Sequence, residues 1–397
     1  MNNLPKLFLS IGKKEISLII GQSDELNRFK ILEKLISPID GIKENKILDL
    51  HKVTNLIKRN ILLIEQKVNY NFKEIILILD NFETSFLNLS GFKRLNGTQI
   101  SKENITYILN SLKSYVEEFE ENKKILHIFN SGYCLDKKKL DNLPLGLFGD
   151  FFSHEISFNL INKNDYKNLE NIFKQCNLKI KKILLESFVK GSLINDNNPK
   201  IDTFFYIQIE DKNSKIFYVE NNSIKFEQKF NFGIEIIVND ICKITSLSSS
   251  SVKNIISENK NIYKISDNEL LEEKYFNNQQ YRKIKKILIA KIAESRINEL
   301  SEKFYLKNIN FKKLLNEIEI IFLEINDQQH LNCFNNLYEK SLAFNSRCKI
   351  KILKKYDIDQ IIDKADNIVQ FGWKKEAIPI TKVTGSYISR IFRAIFS

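Results

Sequence analysis

The chain has 397 residues, 43% of them hydrophobic, so it can bury sizeable cores and suits two to four domains or subdomains. Its net charge of +12 comes mostly from dispersed lysines in an Asn-, Lys- and Ile-rich composition, and no arginine-rich stripe with interleaved aromatics marks a nucleic-acid groove. The five cysteines (Cys134, Cys176, Cys242, Cys333, Cys348) lack Cys-x-x-Cys spacing, which argues against a zinc site or a disulfide framework and suits a reducing cytosol. No apolar run is long enough to cross a bilayer, and no signal peptide is expected before Leu7.

Taken in chain order, Leu7–Ser10 and Ile16–Ile20 read as strands of a hairpin around Gly12-Lys13-Lys14. Ile47–Val68 has helical periodicity, Glu74–Leu79 reads as a strand, and Ser101–Glu121 as a long amphipathic helix. Strands are expected at Ile125–Phe129, Glu155–Ile161 and Ile180–Leu185, with a helix at Tyr166–Cys176. His127 lies inside an apolar run, where a core histidine is the expectation rather than a ligand. Asn195-Asp196-Asn197-Asn198-Pro199 is the clearest internal break.

After that break, three closely spaced strands are expected at Phe204–Ile209, Lys215–Val219 and Ile224–Lys229. A helix at Ile234–Ile244, a Ser-rich turn at Ser246–Ser251 and a long helix from about Gln279 to Tyr305 follow. A strand at Ile318–Glu324, a helix at Gln328–Ala343, a strand at Lys349–Leu353 and a helix at Asp357–Gln370 complete the body. Both halves open with a β-meander and continue into helices, as a duplicated α/β fold would.

The last thirteen residues form the most informative segment. Wound as a helix, Ile388, Ile391, Phe392, Ile395 and Phe396 share one face, and Arg390 and Arg393 lie opposite. That pattern suits the interface of an anionic bilayer. Docking on the parent domain is the other reading of a terminal amphipathic helix.

Several motifs arrive in a specific order: Phe86-Leu87-Asn88-Leu89-Ser90-Gly91, Ile125-Leu126-His127-Ile128-Phe129, Tyr133-Cys134-Leu135-Asp136, Leu143-Pro144-Leu145-Gly146-Leu147-Phe148-Gly149 and His154-Glu155-Ile156. Together with the Lys179–Ile194 stretch, they resemble the bacterial actin-like cell-division protein family FtsA from about residue 7 to the C-terminus. The resemblance implies an actin-like (ribonuclease-H-like), two-lobed ATPase fold with an inserted 1C-type subdomain and a C-terminal amphipathic helix. The implied parts are subdomain 1A at 1–71 and 159–198, the 1C insertion at 72–158, 2A from 199–244 and 2B at 245–310. Residues 311–370 would complete 2A and return to 1A, 371–384 would be a linker, and 385–397 the membrane-targeting helix.

The family's phosphate loops depend on glycines, which let backbone N–H groups approach an anion. Here the first loop reads Ser10-Ile11-Gly12-Lys13-Lys14-Glu15 and the second Gln208-Ile209-Glu210-Asp211-Lys212-Asn213-Ser214-Lys215. A third element reads Gly233-Ile234-Glu235-Ile236-Ile237-Val238-Asn239-Asp240, and the adenine-side element reads Leu323-Glu324-Ile325-Asn326-Asp327-Gln328 without glycine. Gly12, Lys13, Lys14, Gly233 and Asp240 remain as candidate nucleotide contacts. The expectation is a protein that is not an enzyme, with no metal and no bound cofactor, ATP with Mg²⁺ being the doubtful exception.

The resemblance implies partners in FtsZ, an anionic membrane surface, other division proteins through the 1C region, and further copies of the chain in filaments. Nucleic acid is not expected. It implies a cell-division tether on the cytoplasmic face of the inner membrane at the division site. The alternatives are a PilM-like adaptor of pilus assembly and an active actin-superfamily ATPase.

Overall fold

The structure is a computed structural model. It describes residues 4–24, 29–43, 46–80, 82–262, 268–276, 279–308, 314, 318–343 and 348–377. The chain divides into two units, Met1–Glu186 with Ala365–Ser397, and Ser187–Lys364.

The first unit opens with β1 (Lys6–Ile11), β2 (Glu15–Ser23), β3 (Phe29–Pro38), the short pair β4 (Ile42–Lys43) and β5 (Lys46–Ile47), α1 (Leu50–Val68) and β6 (Glu74–Leu79). An insertion follows: β7 (Thr84–Arg94), α2 (Lys102–Phe119), β8 (Lys123–Leu135), β9 (Lys138–Leu140) and β10 (Phe151–Asn162). Then α3 (Lys163–Gln175) and β11 (Lys179–Leu185) return to the first sheet, whose strand order is β11-β6-β1-β2-β3. β6 reads Glu-Ile-Ile-Leu-Ile-Leu and is buried along its apolar run, as befits a central parallel strand covered on both faces. It pairs with β1 in parallel, so Glu74–Leu79 lies in the first sheet and the inserted sheet begins at Thr84.

The inserted sheet has the order β7-β10-β8-β9 and carries α2 on one face. Phe152, Ile156, Phe158 and Leu160 of β10 pack there with Ile108, Leu109 and Val116 of α2. The two layers come close at Gly91, where an added Cβ would lie 2.5 Å from Ile108 Cγ2. Ser101 and Asn104 close the helix start with a reciprocal capping box.

The second unit contains α4 (Glu186–Asn197), β12 (Phe204–Ile209), β13 (Ser214–Glu220), β14 (Ser223–Phe230), α5 (Ile234–Thr245), α6 (Ser249–Glu258), α7 (Lys286–Ser301), β15 (Ile320–Ile325), α8 (Gln328–Leu342) and β16 (Lys349–Leu353). A last helix, α9 (Ile358–Phe371), runs from the second unit into the first after Lys364. The second unit's sheet has the order β14-β13-β12-β15-β16. Three antiparallel strands followed by two parallel ones is also the pattern of β3-β2-β1-β6-β11, so the duplication expected from the meanders is present in the topology. Phe205, Ile207, Ile209, Ile321, Leu323 and Ile325 share one core with the apolar faces of α5, α7 and α8.

Some local expectations are corrected. The Ser-rich stretch 246–251 is a helix start rather than a plain turn, because the Ser248 hydroxyl accepts from Ser251 N–H at 3.1 Å and caps α6. The long helix expected from Gln279 begins only at Lys286, because Leu270 and Lys285 form a β-bridge just ahead of it. The Asn-rich break at 195–199 falls at the end of α4, which belongs to the second unit from Ser187 onward.

Candidate functional site

Each expected nucleotide contact has a definite place. Gly12 closes the β1–β2 hairpin and its N–H donates to the Glu15 carbonyl at 3.1 Å, so this donor is engaged within the turn. Lys13 and Lys14 follow at the hairpin tip, with Lys14 exposed. Ser10, which opens this loop, is buried in β1 opposite Ser17.

In the second unit, the start of a helix is the feature best suited to an anion, because its first N–H groups lack partners within the helix. In α5 two of these are occupied: Ile234 N–H donates to the Glu210 carbonyl at 2.9 Å and Glu235 N–H to the Asp211 carbonyl at 2.8 Å. Gly233, the N-cap, permits that approach, since a Cβ there would lie 2.1 Å from the Glu210 oxygen. Asp240, further along α5, accepts from Arg296 Nε of α7, and Arg296 also bonds Glu299. The Asp240 hydrogen bond raises the Arg296 pKa, and the pair ties α5 to α7. Gly12, Lys13 and Lys14 thus lie in the first unit and Gly233 and Asp240 in the second.

Sequence reasoning missed a buried polar cluster at the carboxyl ends of β12 and β15, the position where open α/β sheets generally receive ligands. The parallel register places Gln208 beside Glu324. Glu324 accepts from Gln208 Nε2 at 3.0 Å and from the Tyr206 hydroxyl, and Lys190 Nζ of α4 stands 3.7 Å away. All four side chains are buried, so the lysine charge balances the carboxylate where water is excluded. The available signal was a lone Glu inside the apolar strand Ile-Ile-Phe-Leu-Glu-Ile.

A second missed feature involves the segment after α9. Asn130 N–H of β8 donates to the Lys375 carbonyl at 2.7 Å, and Ala377 N–H donates to the Ile128 carbonyl at 2.7 Å. Glu376 lies opposite Phe129, so the segment forms a strap along β8 beside β9. The Glu376 carboxylate meets His127 Nδ1 at 2.9 Å and accepts from Lys182 Nζ at 2.7 Å. His127 Nε2 accepts from Leu185 N–H at 3.4 Å, which assigns the proton to Nδ1 and makes that atom the donor to Glu376. Of the expected linker 371–384, Phe371 closes α9 and Lys375–Ala377 belong to this strap. Ile388, Arg390, Ile391, Phe392, Arg393, Ile395 and Phe396 lie outside the described residues.

Among the described residues no cluster of His, Cys, Asp and Glu is placed to hold a metal ion, and no helix is long and apolar enough to cross a membrane.

No protein-family model matches the chain. A stretch of 172 residues is 25% identical to the cell division protein FtsA of Buchnera aphidicola, covering 43% of this chain and 40% of that protein. A stretch of 183 residues is 18% identical to FtsA of Pseudomonas aeruginosa, covering 46% and 43% respectively. The chain thus matches less than half the length of these curated relatives. It aligns over 92% of its length with 96% of a chain from the PilM-PilN type IV pilus biogenesis complex, with a TM-score of 0.51 and 9% sequence identity. The duplicated sheet order and this likeness identify an actin-like ATPase fold, and within that fold the sequence is similar to FtsA over less than half its length.

Proposed function

We propose that the chain is an actin-fold adaptor of bacterial cell division that links FtsZ filaments to the cytoplasmic face of the inner membrane through its C-terminal segment. The observation that carries this reading is the similarity to two FtsA proteins within an actin-like fold. The amphipathic pattern of residues 385–397 supports membrane attachment.

Five half-buried apolar side chains would contribute roughly 5–8 kcal/mol to membrane binding. Arg390 and Arg393 would add about 1 kcal/mol each near anionic headgroups. Folding so short a helix offsets part of that gain. A single copy binds weakly and reversibly, and an array of copies holds by avidity.

In this reading the fold works without ATP hydrolysis. The occupied α5 amides support it, as do the acidic Glu210 and Asp211 at the β12–β13 turn and the missing glycines near Glu324. Acid side chains beside phosphates would repel them, more strongly where water is scarce.

Vesicle flotation tests the tether. The full chain floats with anionic vesicles, and Phe392→Asp releases it. Equal flotation of both proteins refutes the tether. Cosedimentation with FtsZ polymer tests the partner; capture of a short cytoplasmic peptide from an inner-membrane protein, without FtsZ binding, would favour the pilus-type adaptor. Millimolar Mg-ATP leaves the melting temperature unchanged, and a rise of several degrees would restore a nucleotide role.

A further inference from the structure

We propose that the insertion carries a second lipid-contacting surface, the Leu143–Phe148 loop together with the lysines of the β8–β9 hairpin. The inference rests on the membrane reading of the tail. Leu143, Leu145, Leu147 and Phe148 are all exposed, with 49% of Leu147 and 67% of Phe148 open to solvent. Next to them in the chain, Phe151 stacks on the exposed Phe92 with ring centroids 5.6 Å apart. Apolar side chains concentrated at one end of a small subdomain mark an interaction surface rather than ordinary scatter.

The loop cannot bury these side chains by collapsing, because its backbone is pinned to residues 95–100. Leu95 N–H donates to the Asp150 carbonyl at 2.8 Å, Gly97 N–H to Gly149 at 3.1 Å, and Ile100 N–H to Leu147 at 2.9 Å. Gly146 N–H returns a bond to the Ile100 carbonyl at 2.9 Å, and its φ of +80° is left-handed backbone that favours glycine. The side chains are therefore presented outward on a fixed frame.

Charge selects the occupant. Lys137, Lys138 and Lys139 are consecutive and exposed at the β8–β9 hairpin, which leads directly into the loop. Asp136 beside them is engaged, accepting from Asp150 N–H at 3.0 Å and Phe151 N–H at 2.8 Å. Exposed leucines and a phenylalanine preceded by a run of three lysines, with the exposed Asp141 and Asp150 at the two ends of the loop, fit the headgroup boundary of a membrane, the lysines being the groups that add attraction to anionic lipid.

The strap places this loop close to the root of the tail. Lys375 Nζ donates to the Asp141 carbonyl at 3.1 Å, just before Leu143. From Ala377, the residues up to 384 span at most roughly 25 Å when fully extended. A tail seated in the bilayer therefore holds the insertion beside the same bilayer, and two weak contacts on one body reinforce each other.

The test uses the full chain and vesicles of phosphatidylcholine with phosphatidylglycerol. L145E/F148E lowers the partition coefficient about tenfold, the effect of losing one or two partly buried apolar side chains. Trp373 is the single tryptophan in the sequence, so Phe148→Trp in a Trp373→Phe background gives a conservative reporter. Its emission shifts to the blue on vesicle addition and is quenched by brominated acyl chains. Floated protein with an unquenched reporter overturns the inference. So does an L145E/F148E variant that floats like the wild type but changes its self-association, which would make the surface a contact between copies. Failure of the tail reading shows separately, as Phe392→Asp floating like the wild type.

Discussion

Glu376 and His127 are 249 residues apart in sequence, yet their side chains meet at 2.9 Å and close a buried link between the segment after α9 and the inserted sheet. Lys182 of β11 shares the same carboxylate, so one glutamate joins the strap to the five-stranded sheet as well as to the inserted sheet of the first unit.

Glu376→Gln should destabilise the first unit by about 2 kcal/mol, since it weakens a buried charge-assisted pair. Urea unfolding measures the loss. Hydrogen exchange should speed up at Asn130 and Ala377, whose amides hold the strap. Burial alone would raise the Glu376 pKa, but the His127 bond and the Lys182 charge bring it below the usual glutamate value. The stabilisation is therefore complete above the unfolded value of about 4.3 and is lost as pH falls through the lower folded value.

His154 should make the inserted subdomain acid-sensitive. Neither ring nitrogen has a hydrogen-bond partner, and the ring is buried beside Tyr133, with centroids 4.9 Å apart. Burial, helped by the charge of Lys375, pushes its pKa down to about 4. The unfolded chain takes up a proton near pH 6.5, so stability falls as pH drops from there to about 4, by about 3 kcal/mol in total. His154→Phe should flatten the unfolding free energy over that interval; an unchanged slope would assign the acid sensitivity elsewhere.

Gly233→Ala should cost about 3 kcal/mol, because the new methyl overlaps a fixed backbone oxygen rather than a movable side chain. The Glu210 carbonyl, 2.1 Å from the added Cβ, is held by its bond from Ile234 N–H. Thermal unfolding of the variant reads the loss. A neutral result would mean that the β12–β13 turn can move off the helix start.

Asp240→Asn should cost about 1 kcal/mol, as expected for a partly exposed ion pair, and the cost should shrink in high salt. The measurement is denaturant unfolding at low and high sodium chloride. The variant should leave any response to ATP unchanged, because Asp240 is engaged with Arg296.

The central strands were legible in the sequence because their side-chain pattern is local. The apolar runs of β1, β6, β12 and β15 can be satisfied only by burial, and they proved to be neighbouring strands of two equivalent sheets. The edge strands β3 and β7 were not anticipated, since alternating exposure leaves them with a weaker apolar signature. The Ser248 cap escaped notice for a related reason, because a run of serines reads as a turn until one hydroxyl is seen to accept a backbone N–H.

By itself, the sequence determined the alternation of strands and helices in an α/β plan, the absence of glycine from Gln208–Lys215 and Leu323–Gln328 and the amphipathic pattern of the last residues, since each is a matter of residue type along the chain. Tertiary structure decided which groups are already engaged. The Glu210 and Asp211 carbonyls occupy the first amides of α5, Lys190 balances Glu324, and Glu376 finds His127 and Lys182. These are pairings between residues far apart in the chain, and the physical reason they stay hidden in sequence is that a donor's partner is set by where the backbone brings the acceptor.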